Sequence, residues 1–181
     1  MRGWTRATWY DETGLTWRKP SPNLLTLESL LAYVGTCLFE ALNVSEGRGT
    51  DTPFEVIGAP WLDGQKLAKY LNERNLAGVR FVPVKFKPAA SVFKDENLGG
   101  VNIVITERKS FKPVRTGIEI AAALRRLYPN EWQIDRYLRL LVSTETLGKL
   151  KNAEAPEEIE KSWQKSLEEF KARRAKFLLY L

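Results

Sequence analysis

Asn43-Val44-Ser45-Glu46-Gly47-Arg48-Gly49-Thr50 is a glycine-rich polar run set between two apolar ones, Cys37-Leu38-Phe39 before it and residues 54–57 after it. Glycines on both sides of Arg48 allow positive φ and a close approach of backbone to a ligand. Asn43, Ser45, Glu46, Arg48 and Thr50 supply donors, acceptors and one charge of each sign. A buried element would not carry this composition, so the stretch reads as a loop that leaves one short strand, 37–39, and returns into another, 54–57. Two readings of the loop stand side by side. In one it binds a ligand at the surface, beside a concavity, with Glu46 held by neighbours but not buried in apolar surroundings; in the other it is a tight turn in which Glu46 and Arg48 pair.

Outward from the loop the chain alternates helices and strands. Thr26 opens a helix through residue 33 with Gly35 as its stop, and Asp63 caps a second helix with Leu67, Tyr70 and Leu71 on one face, ahead of Gly78. Residues 79–86 form a strand whose Pro83 places it at an edge or a bulge, and 101–106 a firmer strand. Thr116-Gly-Ile-Glu119 has the spacing of a capping box, predicting a helix that runs to Pro129. Shorter helices follow over 132–142 and 144–150. A last one begins near Pro156, with Ile159, Trp163, Leu167 and Phe170 at helical spacing, which reads Trp163 as core. The expected fold class is therefore α/β: a mixed sheet of short strands with helices and a helix-rich C-terminal third. A single domain over 1–181 is expected, with 1–25 an extended arm and 26–181 the α/β body.

The composition bounds the chemistry. With no histidine in 181 residues, imidazole bases, Ser-His-Asp or Cys-His machinery and histidine zinc sites are excluded, and proton transfer falls to carboxylates. The single Cys37 excludes an intramolecular disulfide and a thiolate cluster, and reads as a small buried hydrophobe. No metal or cofactor is expected. The net charge of +6 concentrates between 80 and 115, where eight Lys or Arg (Arg80, Lys85, Lys87, Lys94, Arg108, Lys109, Lys112, Arg115) face Asp95, Glu96 and Glu107. That patch suits an acidic glycan or a lysine-protected sheet edge. The aromatics are not interleaved with it as single-strand nucleic-acid binders require, so no nucleic acid is expected. No apolar stretch approaches the roughly 20 residues of a membrane helix, so no membrane partner is expected either. Met1-Arg-Gly-Trp4 enters Trp-rich polar sequence without an apolar leader, which places the chain as it stands in the cytoplasm, and in the periplasm or outside the cell if a longer form carries an export signal.

Four segments, in order, resemble the NamZ-type exo-β-N-acetylmuramidases, bacterial cell-wall glycosidases. They are Asp11-Glu12-Thr-Gly14-Leu-Thr-Trp17; Pro20-Ser-Pro22-Asn23; Gly35-Thr-Cys37-Leu-Phe39-Glu40 leading through the Asn43 loop to Trp61; and Phe111-Lys-Pro113-Val-Arg115-Thr-Gly117. The resemblance extends from about Arg2 to Arg173-Arg174. It implies that this segment is the C-terminal domain closing one side of a cleft, and that a Rossmann-like N-terminal domain carrying the main catalytic glutamate is absent from the sequence. Ala41-Leu42 stands where the family usually has Gly-Thr.

Glycoside hydrolysis needs two carboxyl groups about a scissile bond, roughly 5 to 9.5 Å apart. Of Asp11, Glu12, Glu46, Asp51 and Glu55, Glu46 is the best-placed catalytic candidate, because it sits within the glycine-rich loop. N-acetylmuramic acid differs from its neighbour sugar by a lactyl ether ending in a carboxylate or amide, for which the Arg48 fork is suited. Asn43, Ser45 and Thr50 suit hydroxyls and the N-acetyl group; Asn23 and Trp61 complete the expected binding set. The partner is then a muramyl glycan derived from peptidoglycan. The alternative is a glycan-binding module without chemistry.

Overall fold

A computed structural model describes residues 3–180, so Met1 and Arg2 of the expected arm and the terminal Leu181 lie outside the described residues. Helix α1 spans Leu27–Thr36 and starts at the capping pair of Thr26 and Ser29, in which each side chain accepts a hydrogen bond from the other's backbone amide at 3.0 Å. It passes through Gly35 and tightens into a 3-10 turn over Cys37–Phe39, where a strand was expected. Three apolar residues carry no period, so sequence could not separate strand from helix end. Cys37 is half-buried rather than buried, while Phe39 is fully enclosed.

The helix does not stop at Gly35 because another helix fills the space that a side chain would take. Helix α3, Pro113–Leu127, crosses α1 with Gly117 against Gly35: a β-carbon built on Gly117 would lie 2.6 Å from the Gly35 carbonyl oxygen, and one built on Gly35 would collide with the Pro113 carbonyl. Backbone meets backbone there. Helix α3 starts at Pro113, not at the Thr116 capping box, since proline at the first helical position lacks only an amide that would have been unpaired. Thr116 accordingly returns its hydroxyl to the Lys112 carbonyl at 2.9 Å.

Strands β1 (Val56–Ala59), β2 (Val79–Phe86) and β3 (Leu98–Ile105) form a sheet in the order β1-β3-β2, antiparallel throughout rather than mixed. Helix α2, Gly64–Glu73, carries the chain from β1 to β2, and β3 then inserts between them. Pro83 lies on the edge strand, as its missing amide requires. Asp63 caps α2 by accepting from the amides of Gln65 and Lys66 at 2.9 and 3.1 Å. Its Leu67 and Leu71 are buried with Ile57, Phe81, Val101, Ile118 and Leu124 between sheet and helices.

Helices α4 (Leu138–Leu141), α5 (Thr144–Lys151) and α6 (Pro156–Ala175) complete the helix-rich C-terminal third. An ionic network joins three of the helices. The Glu119 carboxylate, 1% exposed, takes Nε of Arg115 at 3.1 Å and Nε of Arg74 at 3.2 Å, while Glu157 bridges the same two arginines at 2.6 and 2.7 Å. Only the first turns of α6 reach the core: Ile159 is buried, Trp163 half-buried, and Leu167 and Phe170 are exposed. The described part of the arm lies on the body, where Arg108 pairs with Asp11 and Glu12 and stacks on Trp9.

The helix crossing makes opposite expectations for two helical glycines. Gly148→Ala in α5, whose added methyl meets nothing within 4 Å, stabilises by about 0.5–1 kcal/mol. Gly117→Ala destabilises by about 1–3 kcal/mol, because the helices must separate. Urea unfolding of both variants measures the two signs, and a stabilised Gly117→Ala would remove the crossing as a constraint.

Candidate functional site

Two hydrogen bonds make the glycine-rich loop part of the sheet. Ser45 N donates to the Gly58 carbonyl at 2.7 Å and Gly58 N to the Ser45 carbonyl at 3.0 Å, adding one rung outside β1. Glu46 follows immediately, and its own carbonyl accepts from Phe54 N at 2.6 Å. Its side chain is thereby directed inward and is 2% exposed, contrary to the expectation that it would be held unburied at the surface. The Glu46 carboxylate meets Nε of Arg48 at 2.9 Å, and Nη2 of Arg48 meets Glu40 at 2.8 Å. Gly47 and Gly49, both at φ 82°, turn the chain so that Arg48 can fold back over these acids and over the Phe54 ring, 5.0 Å from its centroid.

Burial raises the proton affinity of Glu46 above its ordinary value, its own backbone amide and Arg48 pull it back, and Glu40 adds to the rise. Desolvation prevails. A carboxyl group so placed holds a proton at a higher pH than a surface glutamate does.

Arg48, Glu46 and Glu40 line a cavity of about 440 Å3, closed by Ala41, Ser91, Val92, Arg139 and Leu140. The 87–97 connection is latched to the loop by Ala89 N donating to the Gly49 carbonyl at 2.8 Å. Helix α4 supplies Arg139 and Leu140. Glu40, Ser91 and Arg139 were not among the residues expected at the site. Glu40 belongs to the quoted segment that leads into the loop, but Ser91 and Arg139 come from segments far apart in sequence, and no local motif ties those two to it.

The other expected binding residues lie elsewhere or have their polar groups engaged. Asn43 donates to the Glu131 carbonyl at 2.7 Å and accepts from Gln133 N at 3.0 Å, which joins the loop to the segment ahead of α4. Ser45 Oγ accepts from Gly47 N at 3.2 Å, and the Thr50 hydroxyl donates to the Gly47 carbonyl at 2.7 Å. Trp61 packs on Tyr128, and neither it nor Asn23 lines the cavity. The remaining carboxylates are also away from it: Asp11 and Glu12 pair with Arg108, and Glu55 accepts the Thr26 hydroxyl at 3.2 Å. Among the described residues, no group of three or more acids and cysteines is arranged to hold a metal ion, and no helix is long and apolar enough to cross a membrane.

A family model described as the C-terminal region of exo-beta-N-acetylmuramidase NamZ matches residues 31–180. The chain is 36% identical over 183 residues to the peptidoglycan beta-N-acetylmuramidase NamZ of Bacillus subtilis (strain 168), covering 99% of this chain and 44% of that protein. Two crystal structures of DUF1343 family proteins from Bacteroides fragilis NCTC 9343 share its fold. One has a TM-score of 0.88 at 28% identity, covering 99% of this chain and 49% of that one. The other has a TM-score of 0.63 at 25% identity, covering 90% and 43%. The chain thus spans less than half the length of these relatives.

The pairing at Glu46 makes the stability depend on pH. A carboxyl with raised native proton affinity favours folding while protonated, and that contribution is lost as pH rises from about 4.3 through the higher native value. Arg48→Met leaves the buried carboxylate without its cation at pH 7, at a cost of about 2–3 kcal/mol. At pH 4, where Glu46 takes a proton, the cost falls below about 1 kcal/mol. Urea unfolding at the two pH values checks this, and an equal loss at both would show that the ion pair is not what Arg48 contributes.

Proposed function

The chain belongs to the family of NamZ exo-β-N-acetylmuramidase C-terminal domains, and on that premise we propose that it forms one wall of the substrate cleft of a peptidoglycan glycosidase releasing terminal N-acetylmuramic acid. The opposite wall is an upstream Rossmann-like domain, a proposal consistent with the greater length of the relatives. The observation that carries the reading is the cavity at Arg48, which is lined by a buried carboxyl group of raised proton affinity.

Glu46 has the character that an acid in glycoside hydrolysis needs, because a carboxyl that keeps its proton can pass it to a leaving oxygen. It cannot also be the second carboxylate, which must act from another side of the sugar. Glu40 shares the same guanidinium and serves to fix Arg48. The upstream domain supplies the main catalytic carboxylate in this proposal, so the 181-residue chain alone releases little or no N-acetylmuramic acid from a chromogenic muramide.

In the protein carrying both domains, Glu46→Gln lowers kcat by about 10²- to 10⁴-fold with KM little changed. It also abolishes the decline in rate with rising pH that an essential protonated carboxyl imposes. A raised KM with an intact pH profile would make Glu46 a positioning residue. Turnover by the present chain alone, abolished by Glu46→Gln, would place the chemistry wholly in this half and overturn the division proposed.

A further inference from the structure

We infer that Arg139, not Arg48, is the group in this wall that receives the carboxylate of an anionic sugar, the lactyl end of a muramyl ligand. The inference rests on the proposed reading of the cavity and assigns within it a residue that no local sequence feature singled out. Two guanidinium groups line the cavity, and their surroundings differ. Arg48 has Nε on Glu46, Nη2 on Glu40 and its plane over Phe54. Glu40 alone matches the Arg48 charge, and Glu46 in its ionised form would tip the trio negative, so in neither state does Arg48 offer an incoming carboxylate a free cation.

Arg139 is exposed, and its side chain makes no hydrogen bond or ion pair with any described residue. Asp135, the acid nearest to it in sequence, is engaged by Lys151. Helix α4 is a single turn that follows directly on fully buried Tyr137 and closes with the Val142 amide donating to the Leu138 carbonyl at 2.9 Å. The positive side of the cavity is therefore presented by a short anchored element. Leu140, Val92 and Ala41 flank it with apolar surface, and Ser91 adds a hydroxyl. A lactyl ether presents a methyl group beside a carboxylate, which matches an apolar wall beside an unpaired planar fork.

The test is equilibrium binding to the 181-residue chain, followed by amide NMR titration with the β-methyl glycoside of N-acetylmuramic acid and with the same compound as its lactyl methyl ester. The wild type is expected to bind the acid about fivefold more tightly than the ester. Arg139→Gln should erase that ratio, Arg139→Lys should retain part of it, and Arg136→Gln, which removes an exposed charge outside the cavity, should leave it intact. If the wild type shows the preference and Arg139→Gln keeps it, Arg139 is not the receptor. If the wild type binds acid and ester equally, the inference falls while the muramyl reading of the cavity stands. Binding of neither compound would overturn both.

Discussion

The rung between Ser45 and Gly58 is the constraint from which the site follows. Without it, 43–50 would be a surface loop free to point its side chains at water. With it, Ser45 is a residue of the sheet edge and Glu46 must turn toward the interior. A carboxylate there is tolerated only with a partner, because leaving water is costly for an isolated charge. Arg48 is the partner, and two glycines in the left-handed region are what let a residue so near in sequence double back to reach it. The same turn exposes the Gly49 carbonyl to Ala89, which draws the 87–97 connection over the cavity. One pair of backbone hydrogen bonds thus assembles the cavity's floor, its charge and part of its rim.

The chain buries a second glutamate, and the comparison shows why burial alone does not mark a site. Glu119 is as enclosed as Glu46 and is also held by arginine. Its partners come from α2 and its own helix α3, and Glu157 and Glu160 of α6 close on the same arginines, so the acid and its cations are consumed in joining helices. Glu46 instead lines an open cavity with its own side chain, whereas the cavities beside Arg74 and Arg115 are lined by those arginines and Glu160 and not by Glu119. The chemistry of the pair is the same; access distinguishes them. The apolar groove of about 700 Å3 beside α6, lined by Val34, Leu38, Val114, Trp163 and Leu167, differs in the other direction: it is larger, and its carboxylate, Glu160, is engaged by Arg115 at 2.8 Å.

Much of this was legible in local sequence and some was not, for identifiable reasons. Asp63, Thr26 and Pro83 act through neighbours a few residues away, and a cap or an edge proline can be read from such spacing. The α/β class and the helical C-terminal third followed from periodicity. Gly35 misled because its role is set by Pro113 and Gly117, and a glycine that admits another helix looks the same in sequence as one that ends its own. Thr116 and Glu119 misled because a proline three residues earlier began the helix first, leaving Glu119 to be neutralised by Arg74 and Arg115. At the site, the pairing of Glu46 with Arg48 was one of two readings of the loop, whereas the engagement of Asn43 by 131–133 and the approach of Ser91 and Arg139 depend on contacts between distant segments.

Strain gives the cavity a further character. Ala41 and Ser91 line it at φ 61° and 69°, Phe54 lies beneath Arg48 at 69°, and Val142 ends α4 at 51°. For residues with a β-carbon the left-handed region costs on the order of 1–2 kcal/mol each, and of these four Phe54 is the one enclosed by the core. Its amide is bonded to Glu46, its carbonyl accepts the Thr36 hydroxyl at 3.0 Å, and its ring meets Tyr33 edge-on at 4.8 Å. A residue fixed at amide, carbonyl and ring cannot relax without breaking the core around it. The backbone under Arg48 is therefore held by packing rather than by preference, and the guanidinium it supports is oriented before any ligand arrives. In the proposed reading of the cavity, a wall so held would bind by fit to a fixed arrangement of charge, and any closing motion would fall to the domain proposed to face it.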